Sequence, residues 1–226
     1  MTITAGDAKQ ASAAARAILA RGITMLKVKV GARSPAEDAE RLLAVHRAAP
    51  GARLLADANG GYTPGEARAF LGALARTGVP LELFEQPVLP EAWLDFVRGT
   101  PRSGVLLCAD ESVKSAMQLV HLVREEAVDA VNIKPMKSGV LESIAIWHVA
   151  RASGIELMIG GMLESILAMS FSANLASGLG GFSYVDLDTP MFMREHPFAG
   201  GFTQAGARLS VAHVEAGHGV SLREAG

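Results

Sequence analysis

Five ionisable residues close successive apolar runs: Lys29, Asp57, Glu85, Asp110 and Lys134, at intervals of 28, 28, 25 and 24 residues. The three carboxylates, with no histidine or cysteine among them, form a hard oxygen site suited to Mg2+ or Mn2+. Lysines on either side of such a site point to proton abstraction next to a carboxylate. The metal would hold the substrate carboxylate and stabilise an enediolate, one lysine would remove the α-proton, and the other would return a proton to the opposite face. That is a 1,1-proton transfer, a racemisation or an epimerisation.

For the five to converge, each must end a strand, and the strands must share one end. In Leu26-Lys27-Val28-Lys29-Val30-Gly31, alternation sends Lys27 and Lys29 to one face and the apolar residues to the other. Further strand-like runs fall at 2–4, 53–56, 81–84, 105–109, 130–133, 156–159 and 183–185. Helical stretches at 7–21, 34–48, 63–76, 91–97, 115–125, 139–152 and 163–177 separate them, with Ser34 and Thr63 as N-caps before Pro35 and Pro64. Strand and helix in strict alternation predict a parallel α/β barrel, whose active sites lie at the C-terminal ends of the strands. Beyond about 191 the pattern gives way to a glycine-rich, irregular tail with a small hairpin at 201–203 and 208–211.

The 226 residues suit one barrel domain over 1–226, and no linker interrupts them. A net charge of -2 gives no reason to expect nucleic acid or an anionic membrane as a partner. Cys108 is the sole cysteine, no run reaches the ~18 apolar residues of a membrane span, and the start does not read as a leader, so the expected compartment is the cytoplasm. The six histidines, His46, His121, His148, His196, His213 and His218, show no ligand spacing and read as surface or tail residues.

The strings LKVKVG, DANGGYT, EQP, ADES and NIKPMKSG, in this order, resemble the enolase superfamily, specifically its muconate lactonising enzyme subgroup. The resemblance implies a (β/α)7β barrel, Mg2+ held by Asp57, Glu85 and Asp110, and acid/base lysines at Lys29 and Lys134. It further implies Asn59 and Glu111 as supporting groups beside the metal, and Lys27 as a group that polarises the substrate carboxylate. GGMLES at 160–165 and DLDTP at 186–190 look like the dipeptide epimerases of the subgroup, in which an Asp-x-Asp binds the substrate's α-ammonium; here that pair is Asp186 and Asp188. The implied substrate is a dipeptide. An N-acyl amino acid (N-acylamino acid racemase or o-succinylbenzoate synthase) and a muconate (muconate cycloisomerase) are the alternatives within the superfamily.

Members of the subgroup carry an N-terminal α+β capping domain that closes the barrel mouth. Since this sequence starts at the first barrel strand, the expectation is a barrel with the capping domain absent, either supplied as a separate chain or lost. In the second case the chain would be a catalytically silent barrel. A barrel without a cap would leave an apolar rim around its mouth, favouring a homo-oligomer or poor solubility.

Overall fold

The computed structural model describes residues 1–4, 6–101, 103–194 and 197–223. Its frame is eight parallel strands in sequence order: β1 (Thr2–Ile3), β2 (Met25–Lys29), β3 (Arg53–Asp57), β4 (Leu81–Glu85), β5 (Leu106–Ala109), β6 (Ala130–Ile133), β7 (Glu156–Gly160) and β8 (Phe182–Asp186). Between them lie α1 (Ala8–Ala20), α2 (Pro35–Ala48), α3 (Pro64–Thr77), α4 (Trp93–Arg98), α5 (Ala116–Arg124), α6 (Pro135–Ser138), α7 (Val140–Ser153) and α8 (Ile166–Leu179). The predicted barrel is therefore present.

Local chemistry starts the helices where the sequence says it should. Ser34 and Thr63 each accept a hydrogen bond from the backbone of the glutamate three residues on, and the Glu37 and Glu66 carboxylates accept the cap residue's own N–H, closing two capping boxes. Proline at the first helical position costs nothing there, because its missing N–H would have had no partner.

The alternation of strand side chains separates two cores. Leu26, Val28, Ala56, Phe84, Val131 and Ile159 face outward against the helices. Leu55, Leu83, Cys108, Ala130, Met158 and Tyr184 face inward and plug the lower barrel. Directly above this plug the inward positions become polar: Lys27, Asp57, Glu85, Asn132 and Asp186. Parallel register sets Lys29, Asp57 and Glu85 side by side, and Gly160 beside Asp186.

Side chains fasten the seam between the first and last strands. Thr2 donates its backbone N–H to Asp188 Oδ2 at 2.6 Å and its hydroxyl to Asp186 Oδ1 at 3.3 Å.

Three features differ from the sequence expectation. The turn α6 follows β6 at once, because Pro135 is preset for a first helical position and Gly139, at φ +77°, ends the turn. Helix α8 starts at Ile166, three residues later than expected, since Glu164 folds back to accept the N–H of Met162 at 2.6 Å. In the tail, β10 (Thr203–Ala205) and β11 (Arg208–Ser210) form the expected hairpin, slightly shifted, and β9 (Phe198–Gly200) pairs antiparallel with β12 (Val220–Leu222), which was not expected.

Candidate active site at the barrel mouth

Each predicted site residue stands at the C-terminal end of its strand or just beyond it, except Lys27, which projects inward from the middle of β2. Asp57 and Glu85 are fully buried, and Asp110 almost so. Lys27 lies among them at 5% exposure, 3.1 Å from Asp57 Oδ2 and 3.3 Å from Glu85 Oε2, and it is also paired with Asp186. Lys29 reaches Asp57 Oδ2 and Asn59 Oδ1, both at 2.6 Å. Its side chain is 34% exposed, so this arm faces the opening. Asn59, at φ +45°, turns its amide to donate to Glu111 Oε1 at 3.2 Å, bringing both expected supporting groups to the Lys29 side.

Across the barrel, Lys134 lies 2.5 Å from Asp110 Oδ2. Strands β2 and β6 stand four apart in an eight-stranded ring, so Lys29 and Lys134 approach the carboxylates from opposite walls.

Asp186 and Asp188 converge on the seam. Asp186 is engaged by Lys27 and Thr2, and Asp188 accepts the Thr2 N–H. None of the five described histidines hydrogen-bonds or ion-pairs with this group, and His196 lies outside the described residues.

The electrostatics follow from crowding. Burial opposes ionisation of Asp57, but Lys27 and Lys29 outweigh it and hold the carboxyl down to about 2. Glu85 goes the other way. Burial, then repulsion from Asp57 and Asp110, pushes it up to about 7. Burial alone would lower Lys134, yet Asp110 and Glu85 prevail and keep it above its ordinary value. Burial raises Asp188, and the neighbouring Asp186 raises it further.

Two participants escaped the sequence analysis. Lys137 spends its N–H groups on Asp110 Oδ1 (2.8 Å), the Asp110 carbonyl (2.6 Å) and the Asn132 carbonyl (2.9 Å). Asn132 donates to Glu85 Oε1 at 2.7 Å, in a notch that only Gly160 leaves open: a Cβ there would come within 2.6 Å of Asn132 Oδ1. The signal for Lys137 was in the sequence. Pro135 opens a helical turn whose N–H at Lys137 returns to the Lys134 carbonyl, so Lys134 and Lys137 reach one carboxylate together.

A cation fits the chemistry of this site. Three buried carboxylates stand close enough that burial and their mutual repulsion raise Glu85, and their donors are oxygens only. Among the described residues no three acidic, histidine or cysteine side chains already form a metal cage. Their oxygens instead face the ammonium groups of Lys27, Lys29, Lys134 and Lys137.

Around this opening the rim is apolar. Leu89, Met117, Met136, Leu141, Met162 and Leu163, all beyond the ends of β4 to β7, are half or more exposed.

Comparison with known proteins gives a consistent picture. A family model described as enolase C-terminal domain-like matches residues 9–226. An aromatic dipeptide epimerase from Herpetosiphon aurantiacus is 52% identical over 222 residues, which are 98% of this chain and 62% of the relative. An L-Ala-D/L-Glu epimerase from Thermotoga maritima is 41% identical over 199 residues, 87% of this chain and 57% of the relative. The solved dipeptide epimerase from Cytophaga hutchinsonii, complexed with Mg and the dipeptide D-Ala-L-Val, superposes with a TM-score of 0.89 at 28% identity, covering 99% of this chain and 60% of that one. The chain thus spans about three fifths of the length of these proteins.

Proposed function

Because the chain belongs to the enolase C-terminal domain-like family, we propose that it is the catalytic barrel of a dipeptide epimerase, inverting the carbon next to the substrate carboxylate by proton transfer between two lysines. The observation that carries this is the placement of Lys29 and Lys134 on opposite walls around buried carboxylates. A carbon between them can lose its proton to one wall and regain a proton from the other. Asp57, Glu85 and Asp110 would hold Mg2+. When bound, the ion supplies positive charge to the substrate carboxylate as electron density develops there.

The remaining residues have supporting duties. Lys27 is shared among Asp57, Glu85 and Asp186, and its charge lies where a substrate carboxylate would gain from it. Asn59 receives Lys29 and passes its amide to Glu111, which orients the exposed lysine. Asp186 and Asp188 bring two carboxylates to one side of the mouth, and a dipeptide's α-ammonium is their natural guest.

The test is α-proton exchange in D2O with Mg2+ and a panel of dipeptides, followed by NMR. Lys29→Ala and Lys134→Ala should each slow exchange by about 10²–10⁴-fold, each on the opposite epimer. Exchange that survives both changes, or needs no metal, would sink the two-lysine scheme. An unaffected Asp186→Asn variant would favour a substrate without a free amine. Mg2+ binding without exchange of any dipeptide would mean that these residues alone do not make an active enzyme.

A further inference from the structure

Asp38 and Arg41, on α2, and Tyr62, beyond β3, form a buried polar cluster outside the mouth. Asp38 is fully buried, and the other two are each 4% exposed. Asp38 Oδ1 accepts from Arg41 Nη1 at 2.8 Å, and Asp38 Oδ2 accepts both the Tyr62 hydroxyl, at 2.7 Å, and the Gly31 N–H, at 2.8 Å. Arg41 also donates to the carbonyl of Lys29 at 2.8 Å and to that of Thr4 at 3.1 Å. Its Nε has no partner.

A buried ion pair adds little stability over apolar residues of the same volume, so stability alone does not account for this one. Its hydrogen bonds end on the backbone just after β1, at the end of β2, and on the side chain that follows the β3 loop. Two of them bracket the backbone of Lys29: its own carbonyl, and the amide two residues later. Gly31, the residue that supplies that amide, turns at φ +88°, where a Cβ would come within 3.0 Å of the Ala58 carbonyl. Lys29 itself has a long side chain, partly exposed, so a fixed root is what limits where its ammonium can go.

We propose that Asp38, Arg41 and Tyr62 are positioning residues for Lys29 and thereby govern one of the two proton transfers and not the other. The role rests on the acid/base duty proposed above for Lys29. Lys134 takes its place from α6 and owes nothing to this cluster.

The experiment compares exchange of the α-proton in L-Ala-L-Phe and L-Ala-D-Phe for Arg41→Lys, Tyr62→Phe, Lys29→Ala and Lys134→Ala. Arg41→Lys keeps the charge but cannot span Asp38, Lys29 and Thr4. It should slow the epimer that Lys29→Ala silences by about ten- to a hundredfold and leave the other within about twofold, with Tyr62→Phe smaller in the same direction. Equal slowing of both epimers, or of neither, overturns the proposal.

A second measurement needs no turnover. After reductive methylation with 13C-formaldehyde, the Lys29 methyl resonance, assigned by its loss in Lys29→Arg, should move toward the free-lysine position in Arg41→Lys and Tyr62→Phe. An unmoved resonance in folded variants overturns the positioning role. If the parent chain exchanges neither dipeptide, the epimerase proposal is what has failed for them, and the resonance still decides this one.

Discussion

Strands β3 and β4 carry ionic side chains at both ends, and the two ends behave differently. At the bottom, Arg53 grips Glu82 through two N–H groups at 2.5 and 2.8 Å, with Tyr184 donating to the same carboxylate and lying under the guanidinium. The Arg53 and Glu82 side chains are a third to a half exposed. At the top, Asp57 and Glu85 are sealed, and Lys27 serves both. The side-chain types are alike; the access of water is not. Where water enters, an ion pair is a weak surface contact, and where it is excluded, each charge must be answered by another.

The sharpest way to probe that contrast is to remove a sealed partner. Lys137→Met deprives Asp110 of a cation while leaving Lys134, and should lower the unfolding free energy by about 3 kcal/mol, read from denaturant melts. A loss no greater than that at the bottom of the barrel would break the comparison.

The second probe is pH, in metal-free buffer. Glu85 is raised from 4.5 to about 7, so between those values the folded state holds a proton that the unfolded state has released, and stability should fall as pH rises through that window. Glu82 is lowered, chiefly by its hydrogen bond from Arg53, so its contribution is present above the ordinary carboxylate range and fades as pH drops below it. Glu85→Gln should flatten the slope above pH 4.5 in urea melts, and Glu82→Gln should leave that slope intact. The smallest effect is expected of Arg53→Ala, under ~1 kcal/mol, with dipeptide exchange unchanged.

Much of the mouth was legible because a parallel barrel converts spacing into position. A polar residue that ends an apolar run once per βα unit has one place to go, and Lys29, Asp57, Glu85, Asp110 and Lys134 went there. Lys137 and Asn132 were harder, since each acts through geometry that single-strand alternation does not encode: one through a turn, the other through the empty place at Gly160. Arg41 and Asp38 lie on a helix whose pattern reads as an ordinary amphipathic face, and only the packing reveals that they are buried. Asp186 and Asp188 were expected to share a face. They do, but the strand ends at Asp186, and what brings them together is the first strand, through Thr2.

That seam sets an order of events in folding. Strands β2 to β8 each pair with a neighbour supplied by the preceding βα unit, whereas Thr2 and Asp188 meet across 186 positions of chain, one of the most distant contacts in the barrel. Closing so long a loop costs entropy that must be met before the contact returns anything. We therefore expect the ring to close late, and the Thr2 amide to gain protection last among the strand amides in pulsed hydrogen exchange during refolding; early protection there would contradict this. Lys27 meets Asp186 across the same seam, so a barrel caught before closure has the Lys27, Asp57 and Glu85 cluster but leaves Asp186 without its cation.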